Sequence, residues 1–403
     1  MKSFVHRLPH RLGAALLLAL LPVSCSSAPS EGPAAAAPQC KVDADCAAKA
    51  GTTRCDVAKG ACVAPPVGYE LGSGDGTASS VDFTEVGKFS KNMKPVDLAF
   101  HPTRDAELWV VGYGDDSVQV GTGITGEPAW TRYYDLAAGH FMHRPPALAM
   151  GPGDTWGTCG NNDNSQNVAG SDGQGELFMG PALFSSDLTI FPKPATDLGS
   201  HLDMLHHSPL CRGIAHVEAN VYWVFNGYDL SLDRIDFAKD HGPGNDDHSD
   251  GEIFQYAVGQ VKPASDETSS HMVFDTDGFL YVADTGNQRI VRLDTARGRR
   301  KGNLPRRLEP LAKSGVMTDA DVEEVIPRGQ LDKPSGLELR GGALYVTDAA
   351  TSTFHVFQKD GKKVRSLATG LPPGSLSGFS FGPEGKIYFV DKIGSRVVRI
   401  DPK

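Results

Sequence analysis

Thirteen histidines stand in this 403-residue chain, and nine of them fall between His140 and His271. Imidazole is the commonest transition-metal ligand, so this concentration is the first place to look for chemistry. His143, His201, His206, His207 and His271 are the candidate ligands for zinc or another divalent transition metal. His201 and Asp203 are also candidates for orienting a ligand ring rather than binding directly. Tyr228 is a candidate general base and Arg212 a candidate carboxylate clamp, both by position. A second cluster is Asp240-His-Gly-Pro-Gly-Asn-Asp-Asp-His-Ser-Asp-Gly251. Within it Asp246, His248 and Asp250 alternate as oxygen and nitrogen donors in a candidate calcium loop, without the glutamate at position 12 that an EF-hand uses. The competing reading is a solvated acidic loop. Gly378-Phe-Ser-Phe-Gly382 matches the hydrolase G-x-S-x-G pattern but sits in a strand with no helix after it, so it is set aside.

Seven cysteines divide by position. Cys25 ends a short apolar run, Leu12 to Leu21, that follows Lys2, Arg7 and Arg11. This is the order of a secretory signal, and Leu21-Pro22-Val23-Ser24-Cys25 resembles a bacterial lipobox with Cys25 as the lipidated residue. Residues 1–24 are therefore read as a lipoprotein signal peptide and 25–38 as a flexible linker of Ser, Ala, Pro and Gly. Cys40, Cys46, Cys55 and Cys62 crowd a segment with almost no large apolar residues, which two disulfides would have to hold together. Residues 39–64 are the disulfide module and 65–80 a second linker. Cys159 and Cys211 remain as a third candidate pair. Export permits all three bridges. The expected address is the cell envelope, anchored by lipid at the outer membrane of a Gram-negative bacterium.

These residues need a frame, and the sequence from 81 onward supplies one. The chain carries 46 Gly and 27 Pro with 8% aromatic residues, a turn-rich composition that disfavours a helical bundle. A unit of apolar strand, Gly/Asp turn, Φ-Tyr/Trp-Val strand, polar turn and third strand recurs at 270–294, 334–358 and 377–401. Weaker copies lie at 95–120, 145–159 and 211–237. First-strand positions align at Leu98, Leu148, Ile214, Val273, Leu337 and Phe379. No single unit buries its own apolar face, so six of them predict a radial array. The last unit lacks an outer strand, and Val81-Asp-Phe-Thr-Glu-Val-Gly-Lys-Phe89 has no unit of its own. Strand 81–89 is expected to complete blade six and close the ring. The predicted fold is all-β, a six-bladed β-propeller over 81–403 preceded by signal peptide, linker and disulfide module.

The run Leu280-Tyr-Val-Ala-Asp-Thr-Gly-Asn-Gln-Arg-Ile-Val-Arg-Leu-Asp294 resembles an NHL repeat, and the resemblance covers about 90–401. It implies a propeller that binds a ligand or protein partner at its central mouth. A more distant similarity, to the peptidyl-α-hydroxyglycine amidating lyase propeller, implies a zinc-dependent enzyme with His ligands at that mouth, His271 standing at the matching kind of position. Ser335 and Ser377 depart from that pattern in blades five and six.

Strand order places the starts of first strands and the ends of second strands on one face, called upper here. His143, the His206–His207 pair and His271 are expected to converge there, and Cys159 and Cys211 to meet there from adjacent blades. The acidic loop 240–251 falls on the lower face, beside a basic run of Arg297, Arg299, Arg300, Lys301, Arg306 and Arg307. The polar loop 160–167 on the upper face is a candidate lid or sugar-binding edge, with a tolerated insertion as the competing reading. Net charge is −10, from 39 Lys and Arg against 49 Asp and Glu. That balance argues against nucleic acid as partner. The chain is read as a monomer whose partners are the membrane, through its anchor, and an unknown protein or small-molecule ligand.

Overall fold

The computed structural model describes residues 40–41, 43–46, 54–163, 179–305 and 309–403. The expected signal peptide at 1–24, Cys25 and the expected linker at 26–38, positions 164–167 of the polar loop, and Arg306 and Arg307 lie outside the described residues. The chain divides into two compact units, Met1–Ala64 and Pro65–Lys403.

In the first unit, Arg54–Asp56 pairs antiparallel with Ala61–Val63. Disulfides join Cys40 to Cys55 and Cys46 to Cys62, with Cα separations of 5.7 and 5.5 Å. The only buried apolar cluster of this unit among the described residues is the cysteines themselves. Cross-links therefore stand in for a core, as a segment this small requires.

The second unit is a six-bladed β-propeller. The first strands of successive blades are Pro95–Phe100, Leu148–Met150, Ile214–Glu218, Met272–Phe274, Pro334–Arg340 and Leu376–Phe381. Each touches the next, and the sixth touches the first, so they form a closed ring around an axis. Glycine makes the tightest approaches possible. A Cβ at Gly213 would collide with the Ser270 carbonyl, and one at Gly336 with that of Ser377. Second strands carry the aromatic residue of the repeat: Trp109, Trp156, Trp223, Tyr281, Tyr345 and Tyr388 are all at most 1% exposed. They pack between neighbouring sheets, which is how the array buries faces that a lone blade would leave wet.

Blade six closes as expected. Val81–Lys88 pairs antiparallel with Arg396–Pro402, from Lys88 opposite Arg396 to Val81 opposite Pro402. The N- and C-terminal ends of the ring thus share one sheet, and no open edge remains at the seam.

Two features differ from the sequence reading. Residues 65–80 pack on the propeller rather than linking to it. The Gly68 amide donates to the Tyr345 hydroxyl at 3.0 Å, and that hydroxyl donates to Glu70 Oε2 at 2.6 Å. Glu70 also meets Arg340, and Leu71 is fully buried with Val81, Tyr345 and Phe354. The segment looks like a linker because its few anchoring side chains are separated by Gly, Ser and Asp. Blade four, second, carries a hairpin between its third and fourth strands. Its arms are Arg299–Gly302 and Lys313–Thr318. Lys313–Thr318 pairs in parallel with Glu252–Tyr256, the outer strand of blade three, which makes that sheet six-stranded. Arg297 and Arg299 pair within blade four, to Asp294 and Asp319, while Lys313 meets Glu252 of blade three.

Candidate functional site

The upper mouth is built from equivalent positions of the six first strands, two residues before the aligned apolar residue. These are Val96, Pro146, Arg212, His271, Ser335 and Ser377. Three of them carry buried polar atoms with no hydrogen-bond partner among the described residues: Arg212 Nε, His271 Nε2 and Ser377 Oγ. Ser375 Oγ, just ahead of blade six, is a fourth. Asp97 reaches into this ring from blade one. Its carboxylate accepts the Leu98 and Leu148 amides, both at 2.9 Å, and lies 3.5 Å from His271 Nδ1. Burial drives Asp97 well above the usual carboxylate range and holds His271 down to about 3, helped by the nearby Lys392 ammonium. Lower in the channel, burial raises Glu338 to about 8.

Above this ring, Arg212 Nη1 donates to the Asp266 carbonyl at 2.8 Å. Burial lowers the Arg212 pKa against the pull of Tyr113, Asp266 and Glu267. Asn161 donates to the Tyr113 hydroxyl at 2.9 Å. A pocket of about 630 Å³ opens between blades four, five and six, with Glu267, Thr268, Lys333 and Lys392 in its wall. Lys333 is held by Asp266 at 2.8 Å. Lys392 makes no ion pair among the described residues, and burial lowers its pKa. The mouth therefore offers two cations, Arg212 and Lys392, and several donors set to receive a small polar molecule. Cys159 and Cys211 are bridged on this face, with a Cα separation of 5.9 Å, and join blade two to blade three as expected.

The five histidines named as metal ligands do not share one site. His143 lies on the upper face, but its Nδ1 is 2.8 Å from Asp116 Oδ2, in a blade-one loop that also accepts the Arg144 amide. His207 is buried in blade three, with its Nε2 3.6 Å from Asp233 Oδ2 and 3.5 Å from Gln255 Nε2. His271 belongs to the channel. Tyr228 stands on the upper face but is 48% exposed in the turn after Val221–Asn226. Among the described residues His143, the His206–His207 pair and His271 do not gather within metal-ligand reach of one another; each side chain lies against a different carboxylate, Asp116 and Asp97 of blade one for His143 and His271, Glu309 of the blade-four hairpin for His206 and Asp233 of blade three for His207.

His201 and His206 go instead to the rim. His201–Met204 is the outer strand of blade two, and it faces the loop between Ser231–Asp236 and Glu252–Tyr256 of blade three. Three segments meet there. The His201 Nδ1–H donates to the Leu198 carbonyl at 2.9 Å, and its ring stacks on Phe141 at 3.7 Å. His248 Nδ1 is 2.7 Å from Asp203 Oδ1. Glu309, from the blade-four hairpin, accepts the His206 amide and lies 2.7 Å from His206 Nδ1. The His206 and His248 rings are 5.3 Å apart, and His140 lies 5.7 Å from His206. Burial holds His140 and His201 down to about 4. His248 is raised, because the Asp203 hydrogen bond and Glu309 outweigh its burial, and burial also raises Asp203.

The candidate calcium loop is divided in the same way. His248 turns inward to Asp203, while Asp250 takes His241 at 2.9 Å. Asp246, His248 and Asp250 are not among the groups of three whose ligand atoms come within 4.8 Å of one another; His248 and Asp250 each lie beside Asp203 instead. Among the described residues, three groups place three potential ligand atoms within 4.8 Å of one another. They are the bridged cysteines Cys40, Cys46 and Cys62; His206, His248 and Glu309; and Asp203, His241 and Asp250. Sequence reasoning had no signal for Glu309. It enters through a parallel strand pairing 61 residues apart along the chain.

No family model and no curated protein matches the chain. Solved structures do resemble it. An auxiliary nutrient binding protein from Bacteroides ovatus superposes with a TM-score of 0.51 at 12% identity, covering 85% of this chain and 86% of that one. An auxiliary nutrient binding protein from Bacteroides thetaiotaomicron gives 0.50 at 10% identity, covering 79% and 75%. Virginiamycin B lyase from Staphylococcus aureus gives 0.48 at 12% identity, covering 80% and 100%. At these identities the likeness is one of fold, and the fold shared is the propeller.

Proposed function

We propose that this protein is an exported, lipid-anchored propeller that captures a small anionic molecule at the upper mouth of its central channel. One observation carries the reading. Buried polar atoms of Arg212, His271 and Ser377 occupy equivalent ring positions and have no partner among the described residues. Buried polar atoms left unmet cost about 1–3 kcal/mol each, so a site that keeps several of them is arranged for something that enters. Arg212 and Lys392, which has no ion pair among the described residues, favour a carboxylate or a comparable anion. The two Bacteroides structures of this fold bear the name of nutrient binding proteins, which agrees with capture of a solute.

The test is thermal-shift and calorimetric titration of the mature chain with amino acids, dicarboxylates, sugar acids and neutral sugars. An anionic member should bind, and Arg212→Met and Lys392→Met should each weaken it at least tenfold. Binding that favours neutral sugars, that is unchanged in both variants, or that is absent across the panel defeats the proposal. The anchor has its own test. Cys25→Ser should move the protein from the membrane to the soluble fraction, and a variant that still pellets with membranes rules lipid out.

A further inference from the structure

We propose a second site, at the outer rim between blades two and three, that binds one divalent transition-metal ion of the zinc class through His206, His248 and Glu309. The donors are of the right kind and number. One ligand atom from each lies within 4.8 Å of the other two. A tetrahedral zinc ion with bonds of about 2.0–2.1 Å sets its ligand atoms about 3.4 Å apart, so a contraction of at most about 1.4 Å completes the set. Two imidazoles and one glutamate form a His₂Glu set that leaves a fourth position open. Calcium and magnesium, which take oxygen donors, are poorly served here.

The surroundings support the ion independently of the spacing. Asp203 holds His248 by its Nδ1, which leaves Nε2 to bind and raises the basicity of the ring, the carboxylate–histidine arrangement found behind metal ligands. Among the described residues Asp203 Oδ2 is buried without a partner in a residue that is 0% exposed, and so is His201 Nε2 in a residue that is 1% exposed. Two carboxylates, Asp203 and Glu309, thus enter a buried cluster that holds no lysine or arginine partner for them among the described residues. Buried carboxylates call for a compensating cation. The ion would tie together the outer strand of blade two, the 238–251 loop of blade three and the hairpin of blade four. This site is separate from the mouth, so the two readings fail independently.

The experiment uses the mature chain, purified without a histidine tag and stripped with EDTA, then titrated with zinc chloride by calorimetry and checked by elemental analysis. One zinc per chain is expected. Glu309→Gln and His248→Ala should weaken binding at least a hundredfold, and Asp203→Asn about 10–100-fold, the usual effect of removing a residue that orients a ligand. His143→Ala should bind as the parent does. Melting of the EDTA-treated proteins controls for folding. Glu309→Gln changes one loop residue and should melt with the parent in EDTA but lose the stabilisation that zinc confers on the parent. Three results overturn the proposal: substoichiometric zinc in the parent, equal affinity in parent and Glu309→Gln, or loss of zinc in His143→Ala. The first result would mean that a protonated His248 alone balances Asp203.

Discussion

Removing the Cys159–Cys211 bridge should lower the stability of the propeller by an amount the chain length sets. The two residues are 52 apart in sequence. Closing a loop of that length removes about 14 cal/mol/K from the unfolded chain, or about 4 kcal/mol at 25 °C. Both cysteines are fully buried, at the end of Thr155–Cys159 and just ahead of Ile214–Glu218. A double change, Cys159→Ala with Cys211→Ala, avoids leaving one buried thiol to mispair. Unfolding entropy near 2.1 cal/mol/K per residue gives about 0.7 kcal/mol/K for a unit the size of Pro65–Lys403, so a loss of 4 kcal/mol lowers Tm by about 6 °C. Differential scanning calorimetry of parent and variant, with far-UV circular dichroism to confirm the sheet, reads the shift. The loop so closed carries His201, Asp203 and His206, so local exchange protection there should fall as well. A variant that melts with the parent, when thiol titration shows the parent fully oxidised, would refute the loop-entropy argument. It would mean that residual structure in the unfolded chain already restrains this loop.

Leu71→Ala should destabilise the propeller by about 2–5 kcal/mol, since it empties a fully buried position in the cluster with Val81 and Phe354. Urea unfolding checks this, and a change near zero would return 65–80 to the status of a linker. Deleting 81–88 removes the outer strand of blade six and should broaden and lower the whole thermal transition. A truncated protein that melts like the mature form would show that closure is not made by this strand. His355, beside Ser366 in blade five, has its pKa lowered to about 4 by burial. The unfolded chain takes up that proton near pH 6.5, so this group's contribution is complete above that pH. It is lost as pH falls toward 4. Urea midpoints at pH 7, 5.5 and 4.5 should fall less steeply in His355→Gln than in the parent, and parallel slopes would contradict the assignment.

The repeat was legible because it is local. Each blade announces itself by alternation, a Gly/Asp turn and an aromatic residue that reappears as Trp109, Tyr281 or Tyr388. Six such units over one chain leave few ways to bury their faces. Ring closure by 81–88 and the bridge between Cys159 and Cys211 followed from strand order alone, since order decides which ends share a face. Arg212 and His271 were placed at the mouth for the same reason. What the chain order could not show is which partner a side chain chooses once it arrives. His143 turned to Asp116, His207 to Asp233, and His206 to Glu309, a residue that reaches it because a hairpin inserted in blade four pairs in parallel with the outer strand of blade three. Residues 65–80 became part of the propeller through Glu70 and Leu71, whose partners lie some 275 residues further on. Local periodicity encodes the blades. Contacts between segments far apart in sequence, which carry no periodic signal, decide where the polar side chains meet.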